Sequence, residues 1–481
     1  MFNMLKIFNT LGRRMEEFKP QKENAVSFYQ CGPTVYWTQH IGNLRAMVMG
    51  DIIRRSLHYL GYKVTFVRNY TDVGHLVSDE DEGEDKMEKG ARQEGLPPKE
   101  IAEKYIKVFE DDIRELNILE PNFKPRATAF IPEIIEMVKV LLEKGYAYET
   151  SLAVYFEVSK ADNYNRLSGQ DERMLEEGAG AGHIEDAEKR NHRDFALWFF
   201  KAGAHKNALQ TWEGPFHSPL VENGRGFPGW HIECSAMSKK YLGPTLDIHM
   251  GGVEHIPIHH TNEIAQSEAA NEAPFVNYWL HNEHLTVEDK KMAKSEGTSY
   301  SLEEVKAKGF NPLALRYFFL QAHYRSKQNF TWGALEGAES GLKHIYDRVK
   351  SLKGEIGSSQ QDETGGVDKD LRDQFIKVIS DDFNTPQAMA VLQEVLKKDI
   401  NDEDKLATIL DFDKVFGLKI KEVIGTDEII PEEVITLANK REEARKNKNW
   451  EESDKLRREI ENLGYEIRDE EKGYEIRKKT V

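Results

Sequence analysis

A short stretch near the N-terminus, TQHIGNLRA at residues 38–46, combines histidine, glycine and asparagine where an amphipathic helix begins. Glycine weakens a helix, and histidine is a poor N-cap. A nucleotide would explain the combination, because a helix N-terminus attracts phosphate and Gly42 lets adenine and ribose approach the backbone. His40 and Asn43 can then donate hydrogen bonds to phosphate oxygens. Taken alone, the motif is more often an ordinary junction between a loop and a helix.

A second motif, DKKMAKSEGTS at residues 289–299, places Lys291 and Lys294 in a loop that contains glycine and serine. Ser301 and Glu304 have the pattern of a capping box, which predicts that a helix follows. Two lysines on a loop suit a triphosphate, whose negative charge builds on the departing pyrophosphate. A solvated basic turn explains this motif by itself, but the two motifs together predict a nucleotide site.

The cysteines and one helical pair raise the question of a metal. Cys31 and Cys234 are the only two cysteines, and an isolated cysteine is more often a small buried residue than a ligand. His259 and Glu263 are four residues apart on a predicted helix, so their side chains share one side of it. This spacing alone is weak evidence for a metal site.

The C-terminal segment KREEARKNKNWEESDKLRRE, residues 440–459, is locally basic although the chain carries a formal net charge of −17. The overall charge argues against a general polyanion binder, and mixed charges on a helix usually mark a solvated face. Trp450 beside Arg445 and Arg457 also fits the recognition of unstacked RNA bases, in which rings stack and guanidinium groups contact base edges or phosphate.

The pattern of apolar residues predicts the elements that position these side chains. Residues 25–31 are a strand, residues 41–60 follow a helical period, and residues 63–70 are a second strand, which makes a βαβ unit with parallel strands. The same sheet is predicted to resume over 246–282. The other predictions are helices over 97–118 and 131–145, an insertion over 148–205, helices from Pro312 onward, a linker over 354–368, a helical hairpin over 431–462, a β-hairpin built on the YEIR repeat at 465–468 and 474–477, and a solvated acidic loop over 79–85.

Length and composition set the class of protein. A chain of 481 residues is too long to fold around one hydrophobic core, so two to four domains are expected. A composition of 39% hydrophobic and 31% charged residues is typical of a soluble protein. The sequence contains no apolar run of about 18 residues, so no membrane span is predicted. The first 20 residues lack the pattern of a signal peptide, and two cysteines are too few for a disulfide framework, which predicts a cytoplasmic protein.

The two nucleotide motifs resemble those of class I aminoacyl-tRNA synthetases, His40–Asn43 the HIGH motif and Lys291–Ser295 the KMSKS motif. Across essentially the whole chain, further segments resemble the cysteinyl-tRNA synthetase family in its order: LKIFNTL (5–11), CGPTVY (31–36), FVRNYTD (66–72), PGWHIECSAM (228–237), HHTNEIAQSEA (259–269), HYRS (323–326) and DDFNTPQAMAVL (381–392). The chain departs from that pattern at Asn43, Ala293, DVGH (72–75) and IHMGGVE (248–254). These departures bear on nucleotide affinity and rate rather than on reaction type.

This resemblance implies an α/β fold: a Rossmann-like catalytic domain with a parallel sheet and a connective insertion, then a C-terminal helical bundle and a small anticodon-binding domain. The implied parts are residues 1–120 and 206–311 for the two halves of the catalytic domain, 121–205 for an insertion near the tRNA acceptor end, 312–425 for a helical bundle that includes the linker, and 426–481 for the anticodon-binding helical hairpin and the β-hairpin.

The implied reaction joins L-cysteine to tRNA(Cys) through a cysteinyl-adenylate made from ATP with Mg²⁺, in a cytoplasmic monomer without membrane contact. The resemblance assigns catalysis to His40, Asn43, Lys291 and Lys294, further ATP contacts to Gly42, Gly252 and Glu254, and the substrate pocket to Thr71, Trp230 and His249. It also assigns one zinc ion per chain to Cys31, Cys234, His259 and Glu263, and anticodon contacts to Arg445, Trp450, Asp454 and Arg457. Zinc favours thiolate and imidazole ligands, so a substrate thiolate would join more readily than the hydroxyl of serine.

Two other functions fit parts of the sequence. A ligase of the same catalytic fold attaches cysteine to an amino-sugar, but such relatives lack the anticodon-binding end that this chain keeps. A degenerate paralogue that only binds RNA is suggested by Asn43 and Ala293, and the survival of both motif lysines argues against it.

Overall fold

The computed structural model describes residues 4–73, 86–169, 186–292, 298–356, 365–425, 431–470 and 473–478. Lys294, the acidic run over 79–85 and most of the predicted 354–368 linker lie outside these residues, as does the side chain of Lys291. The chain divides into two compact units, Met1–Ile420 and Lys421–Val481. Within the described ranges, every helix is too short or too polar to cross a membrane.

The strands are β1 (Lys6–Asn9), β2 (Arg14–Glu17), β3 (Ala25–Gln30), β4 (Lys63–Arg68), β5 (Ala147–Glu149), β6 (Ala153–Phe156), β7 (Phe195–Phe200), β8 (Gly226–Pro228), β9 (Leu246–Gly252), β10 (Val276–Asn282), β11 (Leu285–Val287), β12 (Lys290–Lys291), β13 (Gln328–Phe330), β14 (Tyr465–Glu470) and β15 (Gly473–Lys478). The described α-helices are α1 (Ile41–Tyr59), α2 (Lys86–Glu94), α3 (Pro98–Glu115), α4 (Ile131–Glu143), α5 (Trp230–Leu242), α6 (His259–Asn271), α7 (Leu302–Ala307), α8 (Pro312–Leu320), α9 (Trp332–Ile356), α10 (Lys369–Ile379), α11 (Thr385–Lys397), α12 (Asp402–Phe416), α13 (Ile420–Gly425), α14 (Glu432–Lys446) and α15 (Trp450–Asn462).

The central sheet of the first unit has four parallel strands in the order β10-β9-β3-β4. Helix α1 connects β3 to β4 and helix α6 connects β9 to β10, so the predicted βαβ unit and the predicted return of the sheet are both confirmed. All seven residues of β9 are buried, as expected for a parallel strand covered on both faces. Parallel strands end at one edge, and ligands in such folds bind beyond that edge.

A second sheet lies within the chain between the two halves of the central sheet. Its four antiparallel strands have the order β5-β6-β7-β8, and every residue of β7, FALWFF, is buried. Because β8 spans Gly226–Pro228, this sheet extends past the predicted insertion boundary at residue 205. That boundary was placed by composition, which does not show strand pairing between distant segments.

Helices make up most of the first unit after β13, and one buried arginine joins them to the sheet region. Arg316 on α8 is fully buried, and its guanidinium lies 2.6 Å from the carboxylate of Asp51 on α1. It also donates to the carbonyl oxygen of Phe416, at the end of α12, and to that of Leu116, just after α3. The segment that carries the first nucleotide motif is thereby fixed to the helices that follow the catalytic region.

The second unit is built as predicted from a helical hairpin and a β-hairpin. Helices α14 and α15 are joined by a short turn, and β14 pairs antiparallel with β15, with Ile467 opposite Ile476. Its small core consists of Val434, Ala438, Ile460, Tyr465 and Ile467.

Candidate active site and metal centre

Four side chains assigned to a metal come together at the carboxyl edge of the central sheet. Cys31 directly follows β3, Cys234 lies on α5, and His259 and Glu263 lie one turn apart on α6. One ligand atom from each lies within 4.8 Å of the other three, and all four side chains are buried. The Sγ atom of Cys31 lies 3.8 Å from Nε2 of His259, which in turn lies 2.8 Å from Oε1 of Glu263. Two thiols, an imidazole and a carboxylate are compatible with a metal ion.

The electrostatics of this cluster give two of the four groups, Glu263 and Cys31, the protonation state in which metals bind. Burial would lower the pKa of His259, but the charge of Glu263 raises it to about 10. Burial alone would raise the pKa of Glu263, but the charges of His249 and His259 hold it well below its usual range. A hydrogen bond with Cys234 lowers the pKa of the Cys31 thiol well below its usual value, and the same bond raises the pKa of Cys234. A carboxylate and one thiolate are therefore the stable forms here, and deprotonated ligands are those that metals require.

Four further histidines surround the cluster, and the interpretation of the sequence did not single them out: His231, His255, His260 and His281. The Nδ1 atoms of His231 and His259 are 3.0 Å apart, and Nε2 of His260 lies 3.5 Å from Sγ of Cys31. Burial lowers the pKa of His260 to about 3, so this imidazole is neutral. The adjacency of His260 to His259, and of His231 to Trp230, was the signal available in the sequence.

A cavity of about 690 Å³ opens over this cluster. Its lining includes Cys31, Cys234 and His259 together with two of the residues assigned to the substrate pocket, Thr71 and Trp230. The ring of Trp230 stacks on that of His259, with centroids 4.1 Å apart and planes 29° apart. The thiols and imidazole thus form one wall of a space large enough for a small substrate.

His249, the third residue assigned to that pocket, lies elsewhere. It is fully buried, and its Nε2 atom lies 2.6 Å from Oε2 of Glu263. Its ring stacks on Trp279, with centroids 4.7 Å apart. The structure therefore gives His249 a contact with a ligand residue rather than with the cavity.

The first nucleotide motif lines the same cavity through His40, Gly42 and Asn43. His40 is the N-cap of α1: its Nδ1 atom accepts a hydrogen bond of 3.1 Å from the backbone N–H of Asn43. An imidazole in this position satisfies one of the unpaired N–H groups at the helix start. The poor capping propensity of histidine is overcome here by this specific hydrogen bond.

The second nucleotide motif lies against the first. A Cβ atom at Gly42 would approach Cε of Met292 to 2.5 Å, so the end of the Met292 side chain lies directly beside Gly42. The backbone N–H of Ile41 donates to the carbonyl oxygen of Tyr300 at 2.8 Å, and His40 forms a β-bridge with Ser301. The residues on either side of the predicted lysine loop are thereby anchored to the start of α1.

The remaining residues assigned to ATP binding lie at or near the ends of strands. Gly252 ends β9 and, with Glu254, lines the cavity. A Cβ atom at Gly252 would lie 2.2 Å from the carboxylate of Glu254. The backbone of Lys291 lies on β12, opposite Thr286 of β11.

In the second unit, two of the four residues assigned to the anticodon are in contact. The guanidinium of Arg445 lies 5.8 Å from the ring centroid of Trp450, whose side chain is 57% exposed. Arg445 also pairs with Asp469 at 2.8 Å. Asp454 and Arg457 follow Trp450 by four and seven residues on α15, so the three residues share one face of that helix.

Comparison with solved structures defines the class of fold. The chain resembles Mycobacterium tuberculosis methionyl-tRNA synthetase in complex with methionyl-adenylate, with 12% identity, a TM-score of 0.54, and coverage of 83% of this chain and 91% of that one. It also resembles an Agrobacterium radiobacter leucyl-tRNA synthetase in a ternary complex, with 12% identity, a TM-score of 0.58 and 86% coverage of both chains. A model described as the class I (C) catalytic domain of tRNA synthetases matches residues 17–340. The catalytic part is that of a class I aminoacyl-tRNA synthetase.

Further family models and relatives narrow the class. A DALR domain matches residues 374–418, and a cysteinyl-tRNA ligase anticodon binding domain matches residues 427–477. The cysteine–tRNA ligase of Treponema denticola is 42% identical, over 97% of this chain and 98% of the relative. That of Thermus thermophilus is 39% identical, over 98% of each. The chain belongs to the cysteinyl-tRNA synthetase family and is a ligase, as the resemblance of its motifs predicted.

Proposed function

We propose that this chain activates L-cysteine with ATP, releases pyrophosphate, and transfers the cysteinyl group to the 3′ end of tRNA(Cys). One observation carries the proposal: a single cavity is lined by both thiols and the imidazole of the buried cluster, by the first nucleotide motif, and by Met292 and Ser299 of the second. Cysteine bound at the thiol wall therefore has its carboxylate in the same space as the phosphates of ATP.

In the first step, the carboxylate oxygen of cysteine attacks the α-phosphate of ATP, and the bond to pyrophosphate breaks. His40, Asn43, Lys291 and Lys294 hold the phosphates and neutralise charge that grows on pyrophosphate, and Mg²⁺ accompanies the nucleotide. Gly42 and Gly252 let the adenosine lie close to the backbone, and Glu254 accepts a hydrogen bond from a ribose hydroxyl. In the second step, the terminal ribose hydroxyl of the tRNA attacks the activated carbonyl carbon and AMP leaves.

We propose zinc as the metal, held by Cys31, Cys234, His259 and Glu263. When bound, zinc lowers the pKa of a coordinating thiol, which favours cysteine over serine. The protein orients the donors through a second layer of contacts, in which His231 contacts the far nitrogen of His259 and His249 contacts Glu263. Thr71 and Trp230 shape the space for the substrate side chain.

Cysteine-dependent exchange of pyrophosphate into ATP tests the first step directly. The purified chain with Mg²⁺ and zinc is expected to exchange in the presence of cysteine and not of serine, and then to charge a tRNA with a GCA anticodon. Absence of exchange with cysteine would contradict the proposed function.

Changing Lys294 to alanine should slow adenylation. A preorganised charge beside a developing negative charge contributes roughly 10²-fold or more to rate, and the motif position assigns Lys294 to the phosphates. Cysteine-dependent exchange should therefore fall by about 10²-fold, while cysteine binding, measured by calorimetry, stays unchanged. Equal exchange rates in variant and parent would remove Lys294 from this role.

Changing Trp450 to alanine should weaken tRNA binding and spare amino-acid activation. The ring is exposed beside Arg445, and stacking of one base on an aromatic ring contributes roughly 1–3 kcal/mol. The KM for tRNA should rise while pyrophosphate exchange remains near that of the parent. Loss of exchange in this variant would show a structural role instead.

The finer organisation is also a proposal. It comprises the division of the chain at residues 120, 311 and 425, a monomeric state and a cytoplasmic location. Size-exclusion chromatography with light scattering of the full chain tests the monomer.

A further inference from the structure

One aromatic side chain at the cavity, Trp37, has no role in the adenylation and transfer steps proposed for this chain. Trp37 lies three residues before His40 and lines the cavity together with the two cysteines, yet its side chain is 38% exposed. Large aromatic side chains are usually more deeply buried, and tryptophan at a half-open wall is typical of binding surfaces.

The structure holds this indole in a fixed position. Its ring stacks on Tyr105 of α3, with centroids 6.0 Å apart and planes 24° apart. The side-chain amide of Gln39 donates to the carbonyl oxygens of Trp37 and Thr34, at 3.2 Å each, which fixes the turn. Helix α2 also packs closely on this turn, because a Cβ atom at Gly90 would lie 3.0 Å from the carbonyl oxygen of Tyr36. A ring held in this way costs little conformational entropy when a ligand stacks on it.

Two flat rings enter the cavity during the proposed reaction, the adenine of ATP and a base of the tRNA 3′ end. Gly42, at the start of α1, and Gly252, at the end of β9, line the part of the cavity where the nucleotide is proposed to bind. Trp37 stacks on Tyr105, whose hydroxyl donates a hydrogen bond to Glu94 of α2. Glu88 of the same helix accepts a hydrogen bond of 2.8 Å from the backbone N–H of Leu209, between β7 and β8.

Trp37 therefore lies just before the first nucleotide motif and is also linked, through Tyr105 and α2, to the segment between β7 and β8. The nucleotide that must reach this cavity is the terminal one, because its ribose hydroxyl takes the cysteinyl group. Single-stranded RNA ends are recognised mainly by stacking on aromatic rings.

We infer that Trp37 stacks the terminal base of the tRNA and so positions the ribose hydroxyl for transfer. This inference rests on the proposed function, and Trp37 is a positioning residue for its second step. Stacking of one base on an aromatic ring changes a binding equilibrium constant by about 5- to 150-fold.

The test compares the two steps in the full-length Trp37→Ala variant. Cysteine-dependent pyrophosphate exchange should keep the ATP KM and rate of the parent, whereas kcat/KM for charging of tRNA should fall about 5- to 150-fold. Trp37→Tyr, which retains a ring for stacking, should recover most of the loss. A rise in the ATP KM during exchange would place adenine on Trp37 and overturn the inference. No exchange in the parent would instead refute the proposed function.

A second measurement separates stacking from a general structural effect. Replacing the terminal adenosine of the tRNA with uridine weakens stacking and should lower charging by the parent. In Trp37→Ala the same replacement should have little further effect, because the ring that distinguishes the bases is gone. An equal penalty for uridine in the parent and in Trp37→Ala would overturn the inference.

Discussion

Changing Cys234 to serine should remove both the bound metal and the activation of cysteine. The chain has only two cysteines, and the structure places both within 4.8 Å of His259 and Glu263 in a buried cluster. A serine hydroxyl is a hard donor with a high pKa and does not replace a thiolate at zinc. Sites built around one specific polar contact reach roughly 10⁴–10⁵ discrimination, so cysteine-dependent exchange should fall by about 10⁴-fold.

Metal analysis and exchange should be measured on the same preparation. The parent is expected to carry about one zinc ion per chain, and the Cys234→Ser variant to carry almost none. Met237→Leu is a suitable control, because Met237 is a fully buried residue of the same helix and such a substitution nearly conserves volume. It should keep both zinc and activity. A metal-free preparation that activates cysteine and still rejects serine would show that the pocket selects by shape.

Local patterns in the sequence were sufficient for much of the fold. The alternation and periodicity around β3, α1 and β4 predicted a βαβ unit, and the YEIR repeat predicted the terminal β-hairpin. Each of these depends on neighbouring residues, whose side chains share a face by simple geometry. The predicted end of the insertion at residue 205 was wrong, because it depends on residues far apart in the chain: β8 pairs with β7 in the antiparallel sheet from beyond that boundary.

Local sequence patterns predicted less of the candidate site than of the fold. The pair His259 and Glu263 is local, but Cys31 follows β3 and Cys234 lies on α5, so the two approach each other only in the folded chain. That proximity was expected from the family resemblance and not from spacing. The histidines around the cluster were missed for the same reason: contacts such as that of His260 with His281 join α6 to β10.

Changing Arg316 to methionine should destabilise the first unit by roughly 3–5 kcal/mol, the usual effect of removing one partner of a buried ion pair. The side chains of Arg316 and Asp51 are both fully buried, with Nη2 and Oδ2 2.6 Å apart. Burial would raise the pKa of Asp51, but Arg316, together with Arg55, holds it below its usual value. Without Arg316 this carboxylate loses its closest buried cation, and the carbonyl oxygen of Phe416 loses a donor.

The measurement is the free energy of unfolding from urea denaturation, followed by a signal from the first unit. Lys414→Met is the matched control, because Lys414 pairs with Asp411 at 2.7 Å but is 69% exposed, and exposed ion pairs contribute at most about 1 kcal/mol. The double variant Arg316→Met with Asp51→Asn should be less destabilised than the sum of the two single variants, because Asp51→Asn removes the buried carboxylate that Arg316→Met leaves with Arg55 as its remaining partner. A loss below about 1 kcal/mol in Arg316→Met, or strict additivity in the double variant, would contradict this account. In either case the contact between α1 and the later helices would depend on apolar packing instead of on this ion pair.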